Sequence, residues 1–157
     1  MESWYGPVVK FWNSPPKRAF FIFPLIVLLW EWFIGDGKAV IEPYYLFLLV
    51  WGYGQFRYCH SYHRKVGGRG TDLKPAERLV TSGIYRHIRN PMYMGQIIFL
   101  IGLTLTLRSV LAALITLGTM IWFHYRVLRE ERRMIELYGD SYTGYMRQTK
   151  RWIPGVL

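Results

Sequence analysis

The sequence contains very little cysteine and few acidic residues. One residue of 157, Cys59, is a cysteine, which excludes an internal disulfide framework and a multi-cysteine zinc site. Asp and Glu number 10 against 20 Lys and Arg, so the formal net charge is +10. Internal repeats and low-complexity tracts are also missing. With 52% hydrophobic and 18% aromatic residues, the chain is too apolar for intrinsic disorder. Its length suits one domain over residues 1–157.

Four apolar runs predict membrane-spanning helices. Each is shorter than the roughly 20 residues that cross a bilayer core, but flanking aromatic side chains and a thinned bilayer compensate for such a difference. A buried helix of a soluble protein is the alternative for any one run, yet four of them would need a larger core than 157 residues provide. The sequence therefore predicts an all-α integral membrane helical bundle of about four transmembrane helices, at about residues 19–34, 44–57, 92–107 and 110–126.

The basic residues predict how these helices are oriented. Lys and Arg concentrate before the first run, in the long connector between the second and third runs, and in the C-terminal tail. By the positive-inside rule, we expect both termini and the long connector on the cytoplasmic side of a cytoplasmic (inner) membrane. Nucleic-acid binding is the alternative explanation of the charge, but no nucleic-acid motif accompanies it, so we expect no such partner. The first run lacks a cleavage site and is expected to be a retained span.

Polar residues before the third run predict a helix start. Asn90 and Pro91 suit the cap and the first turn of a helix. The partial positive charge of this helix end, reinforced by Arg86 and Arg89, favours an anion. Gly83 is expected in a turn that needs an unusual backbone angle. A positively flanked helix start without a ligand is the alternative, and the residues alone leave the two equally open.

The fourth run is expected to continue beyond the membrane as one helix to about Tyr138. Gly139 is the expected stop, and Asp140 the expected cap of a following short helix. Arg126 and Glu130 are four residues apart and share one face of the helix. The spacing by itself favours a solvated helix with weak ion pairs. The functional alternative is an Arg and a Glu that face a polar pocket just below the membrane.

One cluster of possible metal ligands needs a separate explanation. Cys59, His60 and His63 have the spacing C-H-x-x-H, without clear further partners. A structural zinc site would need four ligands. We therefore interpret these residues as part of the membrane interface and expect no metal site.

Two motifs resemble a known family. Residues 79–96, LVTSGIYRHIRNPMYMGQ, resemble the hallmark segment of the isoprenylcysteine carboxyl methyltransferase family, which has Gly-x-Tyr and then Arg-His-Pro-x-Tyr-x-Gly. An acidic pair followed by Tyr-Gly, spaced tyrosines and Arg-Trp-Ile-Pro-Gly is similar to that family's C-terminal block. Phospholipid N-methyltransferases and small prokaryotic members share this architecture. The resemblance covers about residues 77–155, whereas the N-terminal half matches only in spanning a membrane.

The resemblance implies a single membrane methyltransferase domain that uses S-adenosyl-L-methionine. The cofactor would lie in a cytoplasmic helical region formed by residues 72–95 and 126–155. A lipophilic acceptor would enter from the bilayer: an isoprenylcysteine carboxylate-like group, a phospholipid amine or a thiol. Arg126 would face the acceptor and act with Glu130 as the catalytic pair, and Arg151 would close the site on the substrate side. The residues implied in cofactor binding are Glu77, Arg78, Leu79, Val80, Tyr85, Asn90, Pro91, Met92, Tyr93 and Glu130.

One position departs from the family pattern, and several questions stay open. The family's usual His is Asn90 here, which still caps a helix and donates a hydrogen bond but does not titrate near neutrality. Arg126 favours an acidic acceptor by forked hydrogen bonding. The alternatives are an NADPH-dependent membrane reductase of the sterol and steroid reductase type, which has a similar Arg-x-Pro-x-Tyr segment, and a non-enzymatic membrane scaffold. The acceptor and the oligomeric state are not predicted.

Overall fold

The computed structural model describes residues 14–34, 41–68 and 78–152, and these are built from helices. The only β pairing within them is an isolated parallel bridge between Ile88 and Lys150. The prediction of an all-α chain is confirmed. Glu77, one of the residues implied in cofactor binding, lies outside the described residues. The main helices are α1 (Phe23–Phe33), α2 (Leu46–Gly67), α3 (Pro91–Leu107), α4 (Val110–Tyr138) and α5 (Asp140–Gln148).

The first predicted span is a helix with an irregular turn. A short α-helix, Pro15–Lys17, is followed by a π-helical turn, Arg18–Ile22, and then by α1. The N–H of Phe23 donates to the carbonyl of Arg18, five residues earlier. Pro24 follows directly. It has no N–H, and its ring would clash with the carbonyl four residues before it. The wider turn ahead of Pro24 accommodates the proline inside a continuous helix.

Two helices extend beyond their apolar segments. A 3₁₀ turn, Pro43–Tyr45, leads into α2, which continues to Gly67, beyond the predicted span that ends near residue 57. The predicted continuation of the fourth run to Tyr138 is confirmed, since α4 is one helix of 29 residues. Gly139 ends it with φ of 51°, a conformation that glycine adopts without steric cost. Gly139 also takes the N-cap position of α5, so the expectation that Asp140 caps this helix is wrong by one residue.

The apolar surface of the helices is consistent with contact to lipid. Among the described residues, α4 is long and apolar enough to cross a membrane by length and composition, with a mean hydropathy of 1.4 over 18 residues, and α3 is a shorter apolar helix. Large apolar side chains are exposed, for example Val50 and Val110 at 75% each and Phe33 at 77%. Water does not favour such a surface, whereas a bilayer does. Four spans remain a prediction.

The chain divides into two compact units. The first contains Met1–Tyr53 and Gln96–Thr119, and the second contains Gly54–Gly95 and Met120–Leu157. The first unit has an apolar core. A Cβ added at Gly102 would lie only 2.8 Å from Cβ of Leu48. Gly102 is therefore where α2 and α3 approach closely within this unit. The buried residues of the core are Ala19, Val27, Leu100, Leu103, Leu107 and Ala112.

The turn between α3 and α4 is held by polar contacts in the first unit. Arg108 adopts φ of 46°, a left-handed conformation that costs free energy in a non-glycine residue. The hydroxyl of Ser109 donates to Oε1 of Glu31 at 2.5 Å, and Arg108 pairs with Glu42 at 3.5 Å. The N–H of Glu42 also donates to the carbonyl of Thr106 at 2.7 Å. These contacts offset the strain and fix a tight helical hairpin.

Candidate active site

A cluster of three polar side chains forms in the second unit, where α3 begins. The hydroxyl of Tyr93 lies 2.8 and 3.0 Å from the two carboxylate oxygens of Glu130 and donates to them. Nε of Arg126 donates to the same hydroxyl at 2.8 Å. Arg126 and Glu130 are also ion-paired at 2.8 Å, one turn apart on α4. We call Tyr93, Arg126 and Glu130 the Tyr93 cluster.

Aromatic side chains hold the Tyr93 cluster in place. The ring of Tyr93 packs against Phe123 with centroids 4.6 Å apart. The guanidinium of Arg126 lies 5.3 Å from the centroid of the Trp122 ring, within the range of a cation–π contact. Phe123 is 1% exposed. The packing therefore fixes the tyrosine ring, and its hydroxyl in turn orients both the carboxylate and the guanidinium.

The Tyr93 cluster is accessible from outside. The side chains of Arg126 and Glu130 are 30% and 39% exposed. An exposed ion pair of this kind contributes only about 0.5 kcal/mol to stability. Its more important property is that a carboxylate and a guanidinium, both held by hydrogen bonds, present polar atoms that a ligand can reach.

The neighbouring glutamate has a different environment. Oε1 of Glu131 accepts from Nε and Nη2 of Arg89 at 3.1 and 2.9 Å, and Nη2 of Arg151 donates to Oε2 at 2.6 Å. The side chain of Glu131 is 6% exposed and that of Arg89 is 8% exposed. Nη1 of Arg89 donates further to the carbonyls of Met146, at 3.0 Å, and Thr149. We call Arg89, Glu131 and Arg151 the Glu131 network.

Several hydrogen bonds join the segment before α3 to the C-terminal block. The N–H of Arg89 donates to the carbonyl of Lys150 at 2.9 Å. The side-chain amide of Asn90 donates to the carbonyl of Arg151 at 3.2 Å. The hydroxyl of Tyr145 donates to the carbonyl of Tyr85 at 2.6 Å. The two stretches that resemble the family motifs are therefore in direct contact, although about 60 residues separate them in the sequence.

Most residues implied in cofactor binding lie in this region, but their exposure differs. The Asn-Pro prediction of a helix start is confirmed, because α3 begins at Pro91 and the N–H of Met94 donates to the carbonyl of Asn90. The carbonyl of Pro91 also accepts from Nε2 of Gln55 at 3.1 Å. The implied residues other than Glu77 are buried (Val80, Tyr85, Pro91), half-buried (Leu79, Asn90, Met92, Tyr93, Glu130) or exposed (Arg78).

The turn before α3 is fixed by glycine and tyrosine. Gly83 has φ of 62°, which confirms the predicted unusual angle. The backbone angle therefore favours glycine, and a Cβ at this position would lie 2.7 Å from the ring of Tyr62 and displace it. The hydroxyl of Tyr85 donates to the carbonyl of Cys59 at 3.4 Å. Tyr85 therefore links the turn to α2 inside the second unit.

Three tyrosines of this region keep their protons. Burial raises the pKa of Tyr85 and of Tyr145 well above the usual range. Burial, assisted by the negative charge of Glu131, raises the pKa of Tyr142 to about 12. The hydrogen bond to Glu131 raises the pKa of Arg151. All three phenols are therefore protonated at neutral pH, Tyr85 and Tyr145 donate hydrogen bonds to backbone carbonyls, and the guanidinium of Arg151 stays charged.

Cys59 and the neighbouring histidines show no metal-binding arrangement. Burial raises the pKa of the Cys59 thiol to about 11, so the thiolate that would ligate a metal is disfavoured. Burial also lowers the pKa of His63. Within the described ranges, no group of three His, Cys, Asp or Glu side chains could hold a metal ion.

Some residues of this region were not assigned a contact by the sequence. From the sequence, Arg89 is only a charge at the helix start, and Glu131, Tyr145 and Thr149 have no predicted role. The position of Glu131 carries one signal for burial: it lies one turn after the fully buried Val127 on α4. Both family motifs also contain arginines that could pair with it. Because Arg89 and Glu131 are 42 residues apart in the sequence, no local pattern predicts their ion pair.

Comparison with known proteins gives this geometry a family context. The sequence profile described as phospholipid methyltransferase matches residues 45–141, more than half of the chain. Protein-S-isoprenylcysteine O-methyltransferase from Dictyostelium discoideum is 32% identical over 151 residues, which cover 92% of this chain and 63% of that protein. Methanethiol S-methyltransferase from Pseudomonas deceptionensis is 27% identical over 177 residues, which cover 99% of this chain and 64% of that protein.

A solved structure has the same fold. A eukaryotic intramembrane isoprenylcysteine carboxyl methyltransferase superposes with a TM-score of 0.62 at 20% identity, covering 92% of this chain and 54% of the other. The chain spans less than two thirds of the length of these curated relatives. Since the family profile matches more than half of the residues, this chain belongs to the phospholipid methyltransferase family.

Proposed function

We propose that the chain is a membrane methyltransferase that uses S-adenosyl-L-methionine to methylate a lipophilic acceptor. The observation that carries the proposal is the Tyr93 cluster, in which the hydroxyl of the half-buried Tyr93 orients a half-exposed carboxylate and a half-exposed guanidinium. Membership of the phospholipid methyltransferase family supports the reaction class. The relatives named as O- and S-methyltransferases support it further.

The residues of the second unit fit the chemistry of S-adenosyl-L-methionine. When bound, this cofactor supplies an electrophilic methyl group on a sulfonium. The half-exposed carboxylate of Glu130 suits the ribose hydroxyls or the ammonium group, since both donate hydrogen bonds. The positive end of α3, which begins at Pro91, suits a carboxylate. Arg89 is occupied by Glu131, so the helix end rather than this arginine would hold the anion.

Arg126 is the residue that we assign to the acceptor. Its contacts to Tyr93 and Glu130 both use Nε, so Nη1 and Nη2 take no part in them. These two groups form a planar pair of donors that matches a carboxylate. The Trp122 ring beneath the guanidinium limits its movement. An acceptor carboxylate held by Arg126 would be aligned with the methyl donor, which is the main requirement of an in-line displacement.

An acidic acceptor also fits the absence of a titrating group at residue 90. A carboxylate is already a nucleophile at neutral pH, whereas a thiol or an ammonium must first lose a proton. Asn90 donates its amide to the carbonyl of Arg151 and does not titrate. Tyr85, Tyr142 and Tyr145 have raised pKa values and stay protonated. We therefore propose an isoprenylcysteine carboxylate-like acceptor ahead of a phospholipid amine or a thiol.

The membrane arrangement completes the proposal. We propose that the four apolar runs span the inner membrane, with both termini and the Tyr93 cluster on the cytoplasmic side. The exposed apolar side chains of α1, α2 and α4 support contact with lipid, and the basic connectors support the orientation. A lipophilic acceptor would then reach Arg126 from the bilayer.

Calorimetric titration of the full chain in detergent micelles tests the cofactor assignment. S-adenosylhomocysteine is the ligand, with NADPH titrated in parallel. We expect saturable binding of S-adenosylhomocysteine alone. Binding of NADPH alone would support the reductase. Binding of neither by folded protein, judged by a cooperative thermal transition, would support the scaffold.

A further inference from the structure

A basic cleft lies on one face of α2, and the proposed function does not use it. Arg57, His60, Ser61 and Arg64 line a cleft of about 210 Å³. Their spacing of three, four and seven residues places all four side chains on the same face of the helix. All four are exposed. The cleft shares no residue with the Tyr93 cluster or the Glu131 network.

The cleft concentrates positive charge, and no carboxylate among the described residues forms an ion pair with it. The ion pairs among the described residues involve Arg89, Arg108, Arg126 and Arg151, and do not include Arg57 or Arg64. Partial desolvation of the imidazole and the positive charges of Arg64 and Arg57 lower the pKa of His60. His60 is also stacked on the ring of Phe56, with centroids 5.7 Å apart. An anion in this cleft would relieve the repulsion between these groups.

The position of the cleft along α2 indicates which anion it would bind. The helix begins with exposed apolar residues, including Phe47 at 62%, Val50 at 75% and Trp51 at 64%. The basic residues follow in the second half of the same helix. A surface that changes from apolar to basic along its length matches a phospholipid, whose acyl chains need the first part and whose headgroup needs the second.

We propose that Arg57, His60, Ser61 and Arg64 bind the phosphate of an anionic phospholipid headgroup. The two guanidinium groups donate in a forked geometry to phosphate oxygens. The Ser61 hydroxyl and the His60 imidazole supply further donors. A zwitterionic lipid carries a compensating ammonium group and binds more weakly. The inference does not depend on the proposed methyltransferase function, because it concerns other residues.

Lipid retention in native mass spectrometry tests the site. The full chain, purified in a zwitterionic detergent, is incubated with dioleoyl phosphatidylglycerol or dioleoyl phosphatidylcholine. The variant is Arg57→Gln with Arg64→Gln. The matched control is Arg132→Gln with Arg133→Gln, which removes the same charge at two exposed positions of α4. We expect the first variant to lose roughly 10- to 30-fold in apparent affinity for phosphatidylglycerol. The control should lose less than about threefold.

Several results would overturn the proposal. These are equal losses in the two double variants, equal retention of phosphatidylcholine and phosphatidylglycerol by the native chain, or full displacement of the lipid by millimolar inorganic phosphate. The thermal midpoint of each variant controls for folding. If the double variant does not fold, Arg64→Gln alone should still weaken phosphatidylglycerol binding at least about threefold. An unchanged affinity in that variant would equally contradict the site.

Discussion

Glu130 and Glu131 are adjacent in the sequence but lie in opposite environments. Glu130 is 39% exposed and is held by a tyrosine hydroxyl and one arginine on its own helix. Glu131 is 6% exposed and is shared by Arg89 and Arg151, which come from the two flanking motifs. The difference arises because consecutive residues of a helix point about 100° apart. One carboxylate is therefore available to a ligand, and the other joins two segments of the chain.

Removing the buried carboxylate should have the largest effect. Glu131→Ala leaves Arg89 and Arg151 without their partner, and an unpaired buried charge costs about 3 to 5 kcal/mol. We expect a corresponding fall in the free energy of unfolding, measured by denaturant titration in detergent micelles. Glu136→Ala, an exposed position of α4, is the control. Equal stability of the two variants would mean that the Glu131 network does not hold the fold.

The two arginines of the network should differ in their contribution. Arg89 is 8% exposed and also donates to two backbone carbonyls, whereas Arg151 is 26% exposed. Arg89→Met should therefore destabilise the protein by about 3 kcal/mol and Arg151→Met by about 1 kcal/mol. Unfolding midpoints of both variants check the order. The reverse order would indicate that the C-terminal block is held mainly through Arg151.

Removing the exposed carboxylate should affect binding rather than stability. Glu130→Ala breaks a half-exposed pair, so the loss of stability should stay below about 1 kcal/mol. If Glu130 accepts hydrogen bonds from the bound cofactor, the affinity for S-adenosylhomocysteine should fall roughly 10- to 100-fold. Calorimetry measures both the native chain and the variant, with Glu136→Ala as the matched control. An unchanged affinity would remove Glu130 from the binding site.

The sequence predicted the local features of this comparison and missed the long-range ones. The helix start at Pro91, the angle at Gly83, the end of α4 at Tyr138 and the shared face of Arg126 and Glu130 all follow from residues within a few positions of one another. The pairing of Glu131 with Arg89 depends on how separate segments pack, and no local pattern encodes that.

α2 is longer than the second predicted span, residues 44–57, because the helix includes the polar segment that follows the apolar run. The prediction ended the second run where its apolar residues ended, near residue 57, although the helix continues to Gly67. Phe56 and Cys59 stay buried one turn apart within that helix. A helix with one buried face keeps apolar residues three or four positions apart even where most of its other residues are polar. The helical periodicity therefore continued where the apolar run had stopped.

Removing only the hydroxyl that orients the exposed pair should have a smaller effect. Tyr93→Phe keeps the ring on Phe123 but removes the hydrogen bonds to Glu130 and Arg126. A hydrogen bond of this kind contributes about 1 kcal/mol, so we expect roughly a fivefold loss in S-adenosylhomocysteine affinity at nearly native stability. A loss as large as that of Glu130→Ala would mean that Tyr93 itself contacts the ligand.

The smallest expected effect is a dependence of stability on pH that arises from the partly buried His63. Tyr145 donates to the carbonyl of Tyr85, and the Tyr85 ring lies 5.7 Å from that of His63. Burial lowers the pKa of His63, and the neighbouring His60 lowers it further. The unfolded chain therefore binds a proton more readily than the folded protein does, so stability is complete above about pH 6.5 and falls as the pH is lowered through the folded pKa. Unfolding midpoints between pH 7.5 and 5 should show this decline, and His63→Gln should flatten it. An equal decline in the variant would assign the proton uptake to other groups.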